Sequence, residues 1–267
     1  FYVEESPSLT DYEKRARRIC EGRLAERAFA VITVNDLLAD ELCRMYPIAR
    51  PIVVRNVPPR FSAPDPQTLP LGEAGTLRLL YHGTHIGLAQ PGTDDVLRAM
   101  ARLRDRTDIT LTLRGQQSPA EETQLVNRAR ALGIEDRIRL APPVSGPTAL
   151  MTEAVADGAE VGLAFHPPLA GNFRLATSSK VYEYQMAGLA VCATDVPGNH
   201  VILDESAGVF YPFGDDEKLA DVLYGLATER ARLSALRAAA RRRGVEEFAR
   251  ETERERLLHI YRRLAPT

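Results

Sequence analysis

Apolar and polar positions follow two different rhythms along this chain, and the changes of rhythm mark its elements. From residue 77 onward, short apolar runs recur: LRLLYH (77–82), ITLTLRG (109–115), RIRLA (137–141), EVGLAFH (160–166), AVCATD (190–195) and GVFY (208–211). Compact apolar runs bounded by turn residues predict buried strands. The intervening stretches repeat apolar residues at three- and four-residue spacing, which predicts amphipathic helices over 94–105, 119–132, 147–158 and 179–187. Three more helices follow, over 215–228, 230–242 and 245–264. Ser118 and Glu121 stand at capping-box spacing before helix 119–132.

Upstream, residues 1–8 read as irregular, and Thr10 with Glu13 forms another capping box ahead of a highly charged helix over 10–28. FAVITV (29–34) predicts a strand, Asn35 caps the helix DLLADELCRMY, and PIVVRNVPP (51–59) predicts a second strand. RFSAPDPQTLPLGEAG (60–75) is rich in Pro and Gly and has no apolar period, so it reads as a linker.

Strand–helix alternation with apolar strands predicts an α/β fold: a parallel sheet covered on both faces, wound as a Rossmann-like doubly wound layer. Such sheets take ligands beyond the carboxyl ends of their strands. The loops of interest are therefore 83–93, 115–118, 141–147, 166–179 and 195–201. HGTHIGLAQPG carries three glycines after the first strand of the layer. Glycines there can admit a phosphate beside the next helix N-terminus, or simply make a turn. The spacing is not the dinucleotide fingerprint, and no Walker lysine follows.

FHPPLAGNFRLATSSK (165–180) is a long loop that delivers Ser178, Ser179 and Lys180 to a helix N-terminus, with Glu183 about one turn later. One reading is an anion site with a carboxylate for sugar hydroxyls beside it. The other is ordinary helix-terminus chemistry, a serine cap and a glutamate complementing the dipole. His82, His85, His166 and His200 fall at strand ends or in these loops without zinc spacing, and their default reading is satisfied or solvent-facing.

Composition narrows the classes. A net charge of −2 excludes the strongly basic balance of a nucleic-acid binder. RAAARRRG (237–244) is locally basic; it reads as a solvated helix face or, alternatively, as a contact for anionic lipid or phosphate. Three widely spaced cysteines, Cys20, Cys43 and Cys192, suggest neither a disulfide framework nor a zinc site, and fit a reducing, cytoplasmic setting. No apolar run has the length of a membrane span, and no signal peptide is visible. The chain opens on Phe1, and a piece of a longer protein is expected.

KVYEYQMAGLAVCATDVPG resembles the donor-site helix and following strand of retaining GT-B glycosyltransferases of the large family-4 type. LRLLYHGT, ITLTLRG, ALGIEDRIRLAPPVS and GAEVGLAFHPP match that family's order and spacing, and AVITVNDLLADEL with PIVVRNVPP resembles the end of its first domain. The resemblance implies a donor-binding domain over 76–244, the remnant of a second Rossmann-like domain over 1–58, a linker over 59–75 and a crossover helix over 245–267. It implies that Glu183 holds a nucleotide ribose and that Ser178, Ser179 and Lys180 meet the diphosphate and donor sugar. Gly83 and Thr84 would face the diphosphate across the cleft. Arg114, Gly115, Leu140 and Pro142 would lie near the base.

The sequence also departs from the family pattern. Leu175 stands where a first motif glutamate is expected, and Thr84 and Pro91 stand where a basic pair is expected. Lys180, Arg174 or Arg114 are the candidate substitutes. The implied activity is transfer of a sugar from a nucleotide-diphosphate sugar to a polysaccharide or glycolipid acceptor, through an oxocarbenium-like state, with no metal and no cofactor. The implied partners are the nucleotide-sugar donor and a saccharide or lipid-linked acceptor, with peripheral membrane contact at the inner face as a further expectation. The alternatives are a non-catalytic scaffold partnering a true transferase and a sugar-nucleotide epimerase of the same fold.

Overall fold

The computed structural model describes residues 9–66, 71–168 and 171–264. The expected irregular start at 1–8 and part of the linker lie outside the described residues. The first elements are α1 (Asp11–Arg27), β1 (Ile32–Thr33), α2 (Asp36–Met45) and β2 (Ile52–Val53). Both helices begin as their sequence dictates. Glu13 N–H donates to the Thr10 hydroxyl while the Glu13 carboxylate accepts from Thr10 N–H, and Leu38 N–H donates to the Asn35 side chain. The two strands are far shorter than their apolar runs: β1 and β2 pair in parallel over two residues each. Among the described residues no other strand joins them, and an isolated pair has too little support to extend.

Six further strands build the main sheet: β3 (Thr76–His85), β4 (Asp108–Gln116), β5 (Ile138–Ala141), β6 (Val161–Ala164), β7 (Ala190–Thr194) and β8 (Gly208–Tyr211). All pair in parallel, in the order β5-β4-β3-β6-β7-β8. The winding reverses between β3 and β6, the switch point at which such sheets open a crevice. The helices among and after them are α3 (Thr93–Leu103), α4 (Pro119–Ala131), α5 (Pro147–Ala156), α6 (Gly171–Leu175), α7 (Ser179–Ala187), α8 (Pro197–His200), α9 (Asp216–Thr228), α10 (Arg230–Glu247) and α11 (Arg250–Leu264). The short α6 and α8 sit in stretches expected as loops; neither is long enough to show a helical period.

Strands β3, β6, β7 and β8 feed two cores, whereas β4 and β5 serve one. Leu77, Leu79 and Tyr81 face α3, α4 and α9, whereas Leu80 faces α5, α7 and α10. Ala190 and Cys192 divide from Val191 and Ala193 in the same way. Side chains alternate across a strand, so a sheet covered on both faces needs continuous apolar runs. Gly244 lets α10 cross α7 at close range: a Cβ there would fall 2.6 Å from the Met186 backbone nitrogen. The helix therefore runs through Gly244 to Glu247, and the break expected near residue 244 comes at Phe248 and Ala249, both buried. Beyond it, α11 lies against residues 55–60. Arg250 N–H donates to the Pro58 carbonyl, and the buried Glu253 carboxylate accepts from Arg55.

The basic stretch 237–244 is not the solvated face that its composition suggests. Arg237 is 3% exposed and Arg241 and Arg243 are half-buried, because α10 packs its arginine-bearing side onto α7 and the linker. No helix among the described residues is long and apolar enough to cross a membrane.

Candidate functional site

Helix α7 is shaped by its sequence to present two polar groups at one end. Val181, Tyr182, Tyr184, Gln185, Met186 and Ala187 are buried, which leaves Lys180 and Glu183, three apart, on the remaining face. Gly188 ends the helix in the left-handed region at φ 78°. The Tyr184 ring lies over Gly162 of β6, where a Cβ would come within 2.2 Å of it, and its hydroxyl accepts from His82 N–H at 3.3 Å. These contacts seat α7 across the switch point with its N-terminus at the carboxyl ends of the strands.

A cavity of about 400 Å³ opens there, within the range usual for small-molecule sites. His82, Gly83 and Thr84 of β3, Arg114 and Gln116 of β4, the loop and helix start from Pro143 to Leu150, and Ser179, Lys180 and Glu183 of α7 contribute to its wall. The predicted residues Gly83, Thr84, Arg114, Ser179, Lys180 and Glu183 thus come together around one space. Gly115, Leu140 and Pro142 line an adjoining depression that shares Gln116 and Pro143 with it. Gly115 sits tightly against β3: a Cβ would lie 2.3 Å from the Gly83 carbonyl oxygen.

His82 Nε2 and a Glu183 carboxylate oxygen stand 2.8 Å apart, close enough to pair but without the alignment of a hydrogen bond. Burial lowers the His82 pKa against the opposing pull of Glu183, so the ring is neutral near pH 7. Burial also lowers the Lys180 pKa, again opposed by Glu183. Lys180 Nζ lies 5.7 Å from the Tyr81 ring centroid. His166, just beyond β6, is pushed down to about 4 by burial and by the Lys180 charge. Arg114 is 4% exposed, donates to the Pro142 carbonyl and pairs with Glu153 and Asp157, so its charge is already answered.

The two helices that begin at this cavity lack side-chain caps. Gly146 and Ser178, the N-cap residues of α5 and α7, make no capping hydrogen bond through a side chain. Thr10, Asn35, Ser118 and Asp215 do cap their helices, whereas α3, α8 and α10 are likewise without a side-chain cap. What sets α5 and α7 apart is that both N-termini open on the cavity. Ser178 makes no cap hydrogen bond, so the ordinary serine-cap reading does not hold for it, and it is buried outside the cavity wall.

Other expectations change. Arg174 is exposed on α6 and does not line the cavity, nor does Pro91. The glycine-bearing turn after residue 82 is delayed: β3 continues to His85 with a register irregularity between His82 and His85. The next helix, α3, contributes nothing to the wall, and its first turn carries Asp94 and Asp95. Leu175 has its carbonyl held by the Asn35 side chain at 2.7 Å. His82 stood at its default reading in the sequence. The loop 141–147 and a helix from Pro147 were expected there, and Gly146 and Pro147 do line the cavity, with Pro at the first helical position marking the helix N-terminus.

Comparison with known proteins bears on this architecture. Residues 76–229, more than half of the chain, match the family model described as glycosyl transferases group 1. A D-inositol 3-phosphate glycosyltransferase of Jonesia denitrificans is 30% identical over 268 aligned positions, covering 94% of this chain and 61% of that protein. One from Saccharomonospora viridis is also 30% identical, covering 94% of this chain and 59% of its own length. The chain thus spans about three-fifths of these relatives. Sucrose-phosphate synthase from Thermosynechococcus elongatus superposes with a TM-score of 0.75 at 19% identity, over 98% of this chain and 65% of that one. Anabaena HepE, solved in complex with UDP, superposes with a TM-score of 0.73 at 14% identity, over 96% of this chain and 69% of that one. The parallel six-stranded sheet is that of the GT-B glycosyltransferases, and the chain belongs to the family of group 1 glycosyl transferases.

Proposed function

We propose that the cavity at the switch point is the donor site of a retaining, nucleotide-sugar-dependent glycosyltransferase. The observation that carries this reading is the pair of uncapped helix N-termini, of α5 and α7, converging on a space that also holds Lys180 and Glu183. Free N–H groups and the helix dipoles favour an anion at that point, and Lys180 adds a full charge. Lys180 is the cation available to a diphosphate here, since Arg114 is engaged by two carboxylates. Glu183 would accept from the ribose hydroxyls, with neutral His82 steadying the carboxylate. The base would lie toward Gly115, Leu140 and Pro142 in the adjoining depression.

When the bond between the sugar's anomeric carbon and the diphosphate breaks, the leaving group takes the electron pair, and the N-termini and Lys180 meet the growing charge. One such donor is worth about 3 kcal/mol in comparable sites. That relatives are named D-inositol 3-phosphate glycosyltransferases and that HepE is solved with UDP supports a nucleotide-sugar donor. The acceptor is a saccharide or lipid-linked saccharide, met on the cytoplasmic side. Isothermal titration with UDP and GDP tests the reading: one nucleotide should bind the wild-type chain and bind Glu183→Ala far more weakly. A well-folded chain that binds neither would favour the scaffold alternative. Release of free nucleotide with a new glycoside, rather than an epimerised sugar nucleotide, separates transfer from epimerisation.

A further inference from the structure

A second cavity, of about 240 Å³, lies at the other end of the sheet. Arg78 stands near the start of β3, Leu189 just before β7, and Ala187 at the end of α7, so this space is a helix-length away from the switch-point cavity. A nine-residue helix spans about 13 Å. Its walls combine apolar residues, Val155, Ala187 and Leu189, with Arg78 and Arg237. It is smaller than the roughly 300–1,000 Å³ of most organic-ligand pockets, which points to a compact ligand.

Arg237 is the unusual feature. It is 3% exposed, and its Nε donates to the Gly188 carbonyl at 3.1 Å. Its Nη1 is buried and has no hydrogen-bond partner among the described residues. The neighbouring carboxylate, Glu160, is fully buried and already answered. It pairs with Arg230, accepts from the backbone N–H of Arg78 at 3.0 Å and of Gly72 at 3.2 Å, and lies 3.6 Å from the Arg78 guanidinium. Two arginines, 78 and 230, therefore pair with one carboxylate, and Arg237 feels its charge without pairing with it. Burial and the other two arginines lower the Arg237 pKa, while Glu160 offsets part of that. A buried guanidinium with a donor left over is costly unless an acceptor meets it.

We propose that this cavity binds a small oxyanion of the phosphate class, with Arg237 Nη1 and Arg78 as its donors. A tetrahedral oxyanion offers several acceptor oxygens to the two guanidinium groups. The same chemistry is presented by inorganic phosphate and by the phosphate of a small phosphomonoester. This inference does not depend on the nucleotide reading of the other cavity.

The test is titration of the chain with sodium phosphate against sodium chloride at matched ionic strength, followed by thermal unfolding and calorimetry. The wild type should show a saturable rise in melting temperature. Arg237→Met should weaken phosphate binding by at least about tenfold, the loss expected for one charged hydrogen bond. Ala156 is exposed at the rim of the cavity, so Ala156→Glu should fold and occupy the site with a tethered carboxylate, abolishing the response. If Arg237→Met fails to fold, Ala156→Glu decides alone. A parallel titration with glycerol 1-phosphate names the source by whichever ligand binds more tightly. No response in the wild type, or one that survives Ala156→Glu, overturns the proposal. So does a response that Lys180→Ala removes, since that places the phosphate in the other cavity.

Discussion

Removing the Glu183 carboxylate and one ligand hydroxyl, separately and together, tests the proposed ribose contact most directly. The carboxylate is 13% exposed, and its closest partner, His82 Nε2 at 2.8 Å, is poorly aligned, so its lone pairs remain open to a ligand. A hydroxyl donating to a carboxylate contributes about 1.5–3 kcal/mol net. Two such bonds would give about 3–6 kcal/mol, and the lower end applies because the carboxylate already lies beside the Lys180 charge. Glu183→Ala should therefore weaken UDP by roughly 150-fold, the equivalent of about 3 kcal/mol. Replacing UDP by 2′-deoxy-UDP removes one hydroxyl and should cost the wild type about tenfold. In Glu183→Ala the acceptor is gone, so the deoxy penalty should vanish. Calorimetry of the four combinations at fixed salt then yields a coupling of about 1.5 kcal/mol. An equal deoxy penalty in both proteins would refute the contact, whatever the absolute affinities.

Lys180→Met should weaken UDP about tenfold or more while leaving uridine unchanged, because the charge addresses the diphosphate alone; an equal loss for both ligands would contradict that role. The same variant should raise the His166 pKa, read by proton NMR titration, since the Lys180 charge helps hold it down to about 4. His166 also makes stability pH-dependent: the unfolded chain takes up a proton below its ordinary value of 6.5, the folded chain only near 4. Stability should fall as pH drops through that window, by about 2 kcal/mol at pH 5, and His166→Gln should flatten that part of the urea-denaturation profile. Gly115→Ala forces a Cβ to within 2.3 Å of the Gly83 carbonyl and 2.6 Å of Ile86 Cγ1. It should cost about 1–3 kcal/mol in urea unfolding and distort the cavity wall enough to weaken UDP.

Local rules determined much of this protein directly from sequence. The capping boxes at Thr10 and Ser118 form as their spacing requires, and β8 occupies the four residues of GVFY. Continuous apolar runs implied a sheet covered twice, and the sheet is parallel with helices on both faces. These features depend on neighbours a few residues apart, where the chain's own geometry decides.

What the tertiary structure alone decided involves distant partners. Lys180 and Glu183 could be named from one helix, but His82 enters the site only because Tyr184 fixes α7 across β3. Arg114 reads as a free cation until Glu153 of α5 and Asp157 just past its end are brought against it. Arg174, close to Lys180 in sequence, is turned away on a helix too short to announce itself. The arginines of 237–244 look like a solvated face, yet Gly244 admits α10 so close to α7 that Arg237 is buried at the Gly188 carbonyl. Burial and charge pairing are set by which surfaces meet, and that information lies in the packing of elements rather than in the period of any one of them.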